Sequence, residues 1–593
     1  MSGPSPLRRF LPWAVIVPIM ALDLFIVVRN PGDLDRLLIN MILALSAFVT
    51  LHAKLLSLAN AGFMAIGAYA SAIIAVKLGM PIAVSIPLAV LICGAVALVI
   101  GLPVLKLKDV YLAICTLGFG EMVRVLIILT PDLTGGPTGA NLSTGFPYEA
   151  MKQTKTWMLV AVLLLLAYLF WAIARSRIGR AFRALRENPQ AASTMGIDIV
   201  AYRRMAFLMS AMIAGAAGAF YAHSVGSLDN SDFKFNRALD ILSYAVLGGS
   251  GRWFGSILGG GFLTALPILL REVLGNSVGF LKNFAQLPNI INGLALLLVV
   301  IFLPGGLASV FGVRSGRKRT ESAAGPGLLS PDKPAVAAVT GEPLLALEDI
   351  SRHFGGLDAL SKVGFEIREG MILGLIGPNG AGKTTLINLI SGLFPPSSGR
   401  IVWQGEAIQH RPAHRVAKAG IARTYQNIQL FRDMTVLENV IVGRHTHIRT
   451  HLLTTLLQSP RERREERHAR AEAMALLERL GLDGLAEEHA GNLSYGDQRR
   501  VEIARALAMH PRLLLLDEPA AGMNEIETGR LGEFILDLKQ HGYTLLIVEH
   551  HMDLIMKICD EIVVLNFGKK IAQGTPALVS RDEQVLEAYL GRD

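Results

Sequence analysis

Residues Gly377 to Thr385 read GPNGAGKTT, a glycine-rich run closed by a lysine and two hydroxyl side chains. The spacing fits G-x-x-x-x-G-K-[ST], a loop that joins a strand to a helix and binds phosphate. The apolar run 371–376 before it predicts a buried strand, and apolar residues at helical spacing from Leu386 predict the helix. Backbone N–H groups of Asn379, Gly380, Ala381, Gly382 and Thr385 would then cradle phosphate oxygens at a helix N-terminus, where the peptide dipoles favour negative charge. Lys383 would reach the β- and γ-phosphates, and the hydroxyl of Thr384 would ligate Mg²⁺.

Two carboxylates stand where such chemistry needs them. Four leucines, Leu513 to Leu516, predict a second buried strand ending in Asp517 and Glu518. Asp517 suits a Mg²⁺ ligand, and Glu518 suits the base that activates the attacking water. LSYGDQ at 493–498 lies upstream, and LIVEHH, with His550 directly after an acid, lies downstream. With Gln426 between the phosphate loop and LSYGDQ, this order resembles the ATPase domain of ABC transporters over residues 344–593. The resemblance implies ATP and Mg²⁺ as ligands, with Gln426 sensing the γ-phosphate, its metal and the membrane domain from a lid loop and His550 as the switch histidine. Ser494 and Gly496 would bind the nucleotide held by an opposite ATPase domain. Phe354, in SRHFGGL, is the candidate to stack on adenine, against the alternative of an ordinary core aromatic. Two residues depart from the common pattern: Asp497 where many members have Gln, and Asn524 where many have Asp.

Those chemical groups occupy less than half of the 593 residues. Charged residues make up only 18% and the mean hydropathy is +0.44, which excludes a chain made wholly of soluble domains. Most of the apolar excess lies before residue 312. Cys93, Cys115 and Cys559 are scattered without metal or disulfide spacing. The formal charge of +9 is explained by membrane topology, because the arginines cluster beside hydrophobic segments; nucleic acid is not expected as a partner.

Six apolar runs, 11–28, 37–51, 59–76, 81–105, 111–130 and 157–174, approach the roughly 20 residues that cross a bilayer. Seven arginines lie from Arg175 to Arg204 against only Glu187 and Asp198, which predicts a cytoplasmic loop. Arg8 and Arg9 place the N-terminus on the same side, and Asp23 within the first run favours a retained helix over a cleaved signal. Beyond this loop, 205–225 and 287–310 are further spans. The stretch 239–270, broken around Gly248, Gly249, Gly251 and Arg252, supplies two crossings or one crossing and a re-entrant segment. The expectation is about ten transmembrane helices, with eight or nine if 37–76 is a broken pair. Residues 312–343, rich in Gly, Pro, Ser, Ala and charge, read as a tether.

Segments LSLANAGFMAIGAYASA at 56–72, KDVYLAICTLGFGEMVRVL at 108–126, LTGGPTG at 133–139, IGRAFRALRENPQAASTMGID at 178–198 and LGGSGRWFGSILGG at 247–260 resemble the permeases of branched-chain amino-acid ABC importers. The ATPase half resembles the larger of that family's two ATPase types through AAGMN and a charged insertion at 442–482. The chain thus looks like a fusion of one permease (1–312), a linker (313–343) and one nucleotide-binding domain (344–593). The implied fold is a polytopic α-helical membrane domain followed by a RecA-like α/β domain with a helical subdomain. The implied activity is ATP-driven import of branched-chain amino acids, with an amide, urea or aromatic acid as alternative solutes; an exporter half and a membrane-tethered regulatory ATPase are the rival classes. Its partners would be a second permease, a second ATPase and a periplasmic binding protein, and its place the bacterial inner membrane with the ATPase in the cytoplasm. Residues 186–197, with Pro189 at a helix start, resemble the coupling helix that such permeases insert into the ATPase. Glu121 and Arg124, three apart inside a span, pair with each other or line the pathway. TGGPTGA is either a docking loop for the binding protein or a plain turn. The arginine-dense part of the insertion, near 461–470, reads as a solvated helix face.

Overall fold

The computed structural model describes residues 31–107, 109–141, 148–249, 251–277, 287–309, 343–448 and 452–590. The expected first span and most of the tether lie outside them. Two compact units divide the chain. One holds the apolar helices; the other holds Ser315–Asp593 together with Arg175–Ile199, so the arginine-rich loop between two apolar helices folds as part of the ATPase unit.

In the helical unit, α1 (Pro31–His52), α2 (Asn60–Lys77), α3 (Ile82–Val104), α4 (Asp109–Leu129) and α5 (Tyr148–Ala174) follow the predicted runs to within a few residues, except that α1 and α5 begin earlier. Six helices among the described residues are long and apolar enough to cross a membrane, the sixth being Ile199–Val225; shorter apolar helices occupy Trp253–Leu269 and Ile290–Phe302. The 37–76 stretch forms two separate helices. The 239–270 stretch breaks where the glycines predict, between Phe235–Gly248 and Trp253–Ser277. At 14 residues the first piece reaches only about 21 Å, short of the roughly 30 Å of a bilayer core. A Cβ on Gly248 would lie 2.1 Å from the carbonyl oxygen of Gly255, so the two arms meet backbone to backbone. Gly67 meets Gly215 at a similar approach, the close crossing that small residues permit between membrane helices.

Several polar groups inside this unit are paired with one another, as burial in an apolar medium favours. Lys155 lies 3.2 Å from Asp35, and both are buried. Asn40 receives a hydrogen bond from Arg237 at 2.8 Å and donates to Thr264 at 2.9 Å. Glu121 and Arg124 form the salt bridge expected of their spacing, at 2.7 Å. The TGGPTG stretch folds as a short helix and a 3-10 turn, after which Ala140 and Asn141 pair antiparallel with Leu228 and Ser227.

In the ATPase unit, β1 (Leu345–Phe354), β2 (Leu357–Ile367), β4 (Ser398–Trp403) and β5 (Glu406–Ala407) form an antiparallel sheet in the order β2-β1-β4-β5. A second sheet runs β10-β9-β3-β8-β7-β6, with β3 Ile372–Ile376, β6 Ile421–Arg423, β7 Leu513–Asp517, β8 Thr544–Val548, β9 Glu561–Asn566 and β10 Lys569–Gly574. Only β10 pairs antiparallel; β6, β7, β8, β3 and β9 are parallel. All five residues of β3, β7 and β8 are buried, which is why these strands read as continuous apolar runs and not as alternation. A smaller core joins Val436, Val440, Ala469, Ala473, Leu477, Val501 and Ala504 in the helical subdomain.

Candidate functional site

Four of the five parallel strands deliver their chemistry at the same edge. The phosphate loop follows β3, Gln426 follows β6, Glu518 follows β7 and His550 follows β8, so residues far apart in sequence converge at the carboxyl ends of adjacent strands, where ligands of open α/β sheets bind. The loop feeds helix Lys383–Ile390, whose N-cap is Gly382 at φ 99°. A Cβ there would sit 2.7 Å from the Ala359 carbonyl, and one on Gly377 would sit 2.2 Å from that of Leu565; glycine is required at both for conformation and space. Lys383 turns back on the loop, its Nζ donating to the carbonyls of Gly377 at 2.6 Å and Pro378 at 3.0 Å. Burial pushes its ammonium pKa down, against the pull of Glu518 and Asp517.

Glu518 is the hub. Its carboxylate accepts from Gln426 Nε2 at 2.9 Å and lies 3.0 Å from His550 Nε2, so the three expected catalytic side chains meet. Its N–H donates to the Val548 carbonyl at 2.8 Å, locking the end of β7 to β8. Its backbone stands at φ 47°, a left-handed conformation that a non-glycine residue adopts at a cost and that clusters at functional sites. Asp517 is buried and accepts from Arg423 at 3.0 Å through one oxygen. Its other oxygen, Oδ1, is buried with no hydrogen-bond partner among the described residues. Burial raises this carboxyl's pKa, opposed by Arg423. An orphaned acceptor at a strand end beside the phosphate loop fits a divalent cation.

Phe354 is 44% exposed, with the Arg352 guanidinium 4.6 Å from its ring centre and Phe394 edge-on at 5.6 Å. It is exposed and not a buried core aromatic. Ser494 caps helix Tyr495–Leu507, its hydroxyl accepting from the Asp497 N–H and donating to the Asp497 carboxylate. Asp497, the first departure, is also paired with Arg500. Asn524, the second, caps helix Glu525–Gln540 in a reciprocal box with Glu527, a task asparagine performs as well as aspartate. Gly496 lies in the first turn behind Ser494.

The loop Arg175–Ile199 carries what sequence reasoning only partly anticipated. Helix α6 (Arg177–Glu187) places Arg180, Arg183 and Arg186 three residues apart. Arg180 pairs with Glu466 at 2.5 Å, Arg183 with Glu438 at 2.8 Å and Arg186 with Asp433 at 2.8 Å. Helix α7 (Pro189–Thr194), capped by Asn188, follows. Asn188 donates to Gln429, the hydroxyls of Thr194 and Tyr425 are 3.0 Å apart, and Glu187 accepts from the Asp433 N–H. The insertion's helix Pro460–Arg479 is therefore not simply a solvated face. Arg461 and Arg470 are exposed, but Glu462 is buried and Glu466 meets Arg180. The signal available in the sequence was the three-residue period of arginines in 178–187; what it faces could not be read.

A parallel sheet with this phosphate loop, paired strand-end acids and a helical subdomain carrying LSYGDQ defines an ABC-type ATPase domain. The family model for the branched-chain amino acid transport system permease component matches residues 35–303, that for ABC transporters matches 360–521, and that for the branched-chain amino acid ATP-binding cassette transporter matches 569–593. The chain is 44% identical over 250 residues to the high-affinity branched-chain amino acid transport ATP-binding protein BraF of Pseudomonas aeruginosa, covering 42% of this chain and 98% of that one. Against LivG of Salmonella typhimurium, which carries the same description, identity is 45% over 251 residues, covering 42% and 98%. A solved nucleotide-free ATP-binding cassette from an ABC transporter is 34% identical, with a TM-score of 0.38, covering 42% of this chain and all of that one. The chain belongs to the branched-chain amino-acid ABC transporter family, with a permease and an ATPase in one polypeptide.

Proposed function

We propose that this chain is the fused permease and ATPase subunit of an ABC importer for branched-chain amino acids, with residues 1–312 as permease, 313–343 as tether and 344–593 as nucleotide-binding domain. The observation that carries the reading is the meeting of Gln426, Glu518 and His550 at one sheet edge, in a chain whose residues 35–303 match a branched-chain amino acid permease. ATP lies along the phosphate loop with its adenine on Phe354 and its phosphates on the N–H groups of Asn379 to Gly382, Thr384 and Thr385. Lys383 leaves its loop carbonyls for the β- and γ-phosphates. Asp517, Thr384 and Gln426 would hold Mg²⁺, which would neutralise phosphate charge when bound. Glu518 takes a proton from the attacking water, oriented by Gln426 and His550. Ser494 and Gly496 complete the site of a second ATPase domain, so the working unit contains two permeases and two ATPases.

A periplasmic binding protein delivers the solute to this assembly in a bacterial inner membrane, with the ATPase in the cytoplasm. Nucleotide favours the closed pair of ATPase domains through its differential affinity for that state, and α6 and α7 carry the change to the helices on either side of them. The test is uptake of labelled leucine, isoleucine and valine into proteoliposomes holding the isolated complex, with binding protein outside and ATP inside. Accumulation that needs both is expected. Efflux against the gradient, or ATP turnover indifferent to any binding protein and solute, would instead indicate an exporter half or a tethered regulatory ATPase.

A further inference from the structure

Helix Tyr495–Leu507 carries, beyond its capping serine, an arginine, a glutamate and an arginine that are all fully buried: Arg499, Glu502 and Arg505. Burying three charges is costly, and such a cluster is weak evidence for stability in itself, so what it touches decides its meaning. Arg499 donates to the backbone carbonyls of Tyr425 at 2.6 Å, Gln426 at 3.2 Å and Glu518 at 2.7 Å. One planar fork thus joins the loop that presents Gln426 to the residue that presents the hydrolytic carboxylate. Glu502 seats that fork at 2.9 Å and accepts from the N–H groups of Tyr425 and Gln429. Arg505 donates to the Gln429 carbonyl at 2.8 Å. The same two loop residues, Tyr425 and Gln429, are those that meet Thr194 and Asn188. A continuous set of hydrogen bonds therefore runs from helix α7 through residues 425–429 to Glu518, with Arg499 at the branch.

We propose that Arg499, seated by Glu502, is a positioning residue for hydrolysis: it sets Gln426 and Glu518 in register and transmits displacement of α7 to both. Lysine cannot replace it, because a single ammonium lacks the planar geometry to serve three carbonyls on two loops. The inference rests on the reading of Glu518 as the hydrolytic base.

The test uses the full chain in lipid nanodiscs and a double-mutant cycle on kcat for ATP, with the dissociation constant of a fluorescent ATP analogue measured in parallel. Arg499→Lys should lower kcat by roughly tenfold or more while nucleotide affinity stays within about threefold, the split expected when geometry at the reacting atoms is lost and ground-state binding is not. Combining it with Asn188→Ala and Thr194→Val should give an effect clearly smaller than the product of the separate ones, since both act through one network. Should Arg499→Lys fail to fold, Glu502→Gln, which keeps the volume, takes its place in the cycle. Wild-type kcat, kcat and affinity falling together, or independent multiplicative effects would overturn the proposal. Glu518→Gln separates the two levels: if it turns over normally the underlying reading fails, whereas if it is inactive and the Arg499 variant is normal only the brace fails.

Discussion

At the scale of single residues, Glu518 combines a left-handed backbone with two polar partners, and its proposed role as the base predicts that binding and hydrolysis can be separated. Glu518→Gln removes the proposed proton acceptor without touching the phosphate loop, so ATP should bind with near wild-type affinity while turnover falls by about 10²-fold or more, the usual worth of one positioned acid–base group. Lys383→Ala should differ by weakening nucleotide binding as well, because Lys383 is a ground-state contact; equilibrium binding and single-turnover hydrolysis on the two purified variants distinguish them. These residues were legible in the sequence because each sits beside a strand whose apolar run is unmistakable. Their convergence was legible only through the family resemblance, since no periodicity states which strands are neighbours. Arg499 and Glu502 were not legible at all: in a helix of mixed charge, nothing marks which arginines face inward.

Among the elements, α6 and α7 show the same limit. The arginines of 175–204 were read as topology signals, and three of them turn out to be ion-paired to acids more than 200 residues away. Surface ion pairs contribute little, but Glu438 is only partly exposed; burial would raise its pKa, and Arg183 with the Thr435 N–H outweighs that and lowers it. Removing one partner leaves a partly desolvated charge, so Arg183→Ala should destabilise the docked loop by about 1 kcal/mol, measured as a drop in apparent Tm that the double variant Arg183→Met, Glu438→Leu largely restores. His445 supplies a pH signature. It is buried, with Arg177 3.2 and 3.1 Å from its two ring nitrogens, and burial followed by that cation holds its pKa well below the ordinary value. A group depressed in the folded state contributes stability above its unfolded pKa of about 6.5 and loses it as pH falls below that. The apparent Tm should therefore decline between pH 7.5 and 5.5, and His445→Asn should flatten that decline. An unchanged slope in the variant would remove His445 as the cause.

For the whole molecule, the apolar runs predicted the described helices well, because hydrocarbon leaves the backbone few alternatives. What they could not predict was the company a loop keeps: Arg175–Ile199 interrupts the apolar helices in sequence yet folds with the ATPase. A machine built this way turns over ATP uselessly if that loop lets go, since coupling is a differential contact free energy and not a matter of proximity. The direct measurement is the number of amino-acid molecules imported per ATP hydrolysed, in proteoliposomes holding the complex and the proposed binding protein, for wild type and for the double variant Glu187→Ala, Asn188→Ala. Both residues contact the ATPase through Asp433 and Gln429 and neither belongs to the hydrolytic group. The ratio is expected to collapse, because transport falls much further than ATPase does; an unchanged ratio in the double variant would contradict the assignment of this loop as the link between hydrolysis and transport.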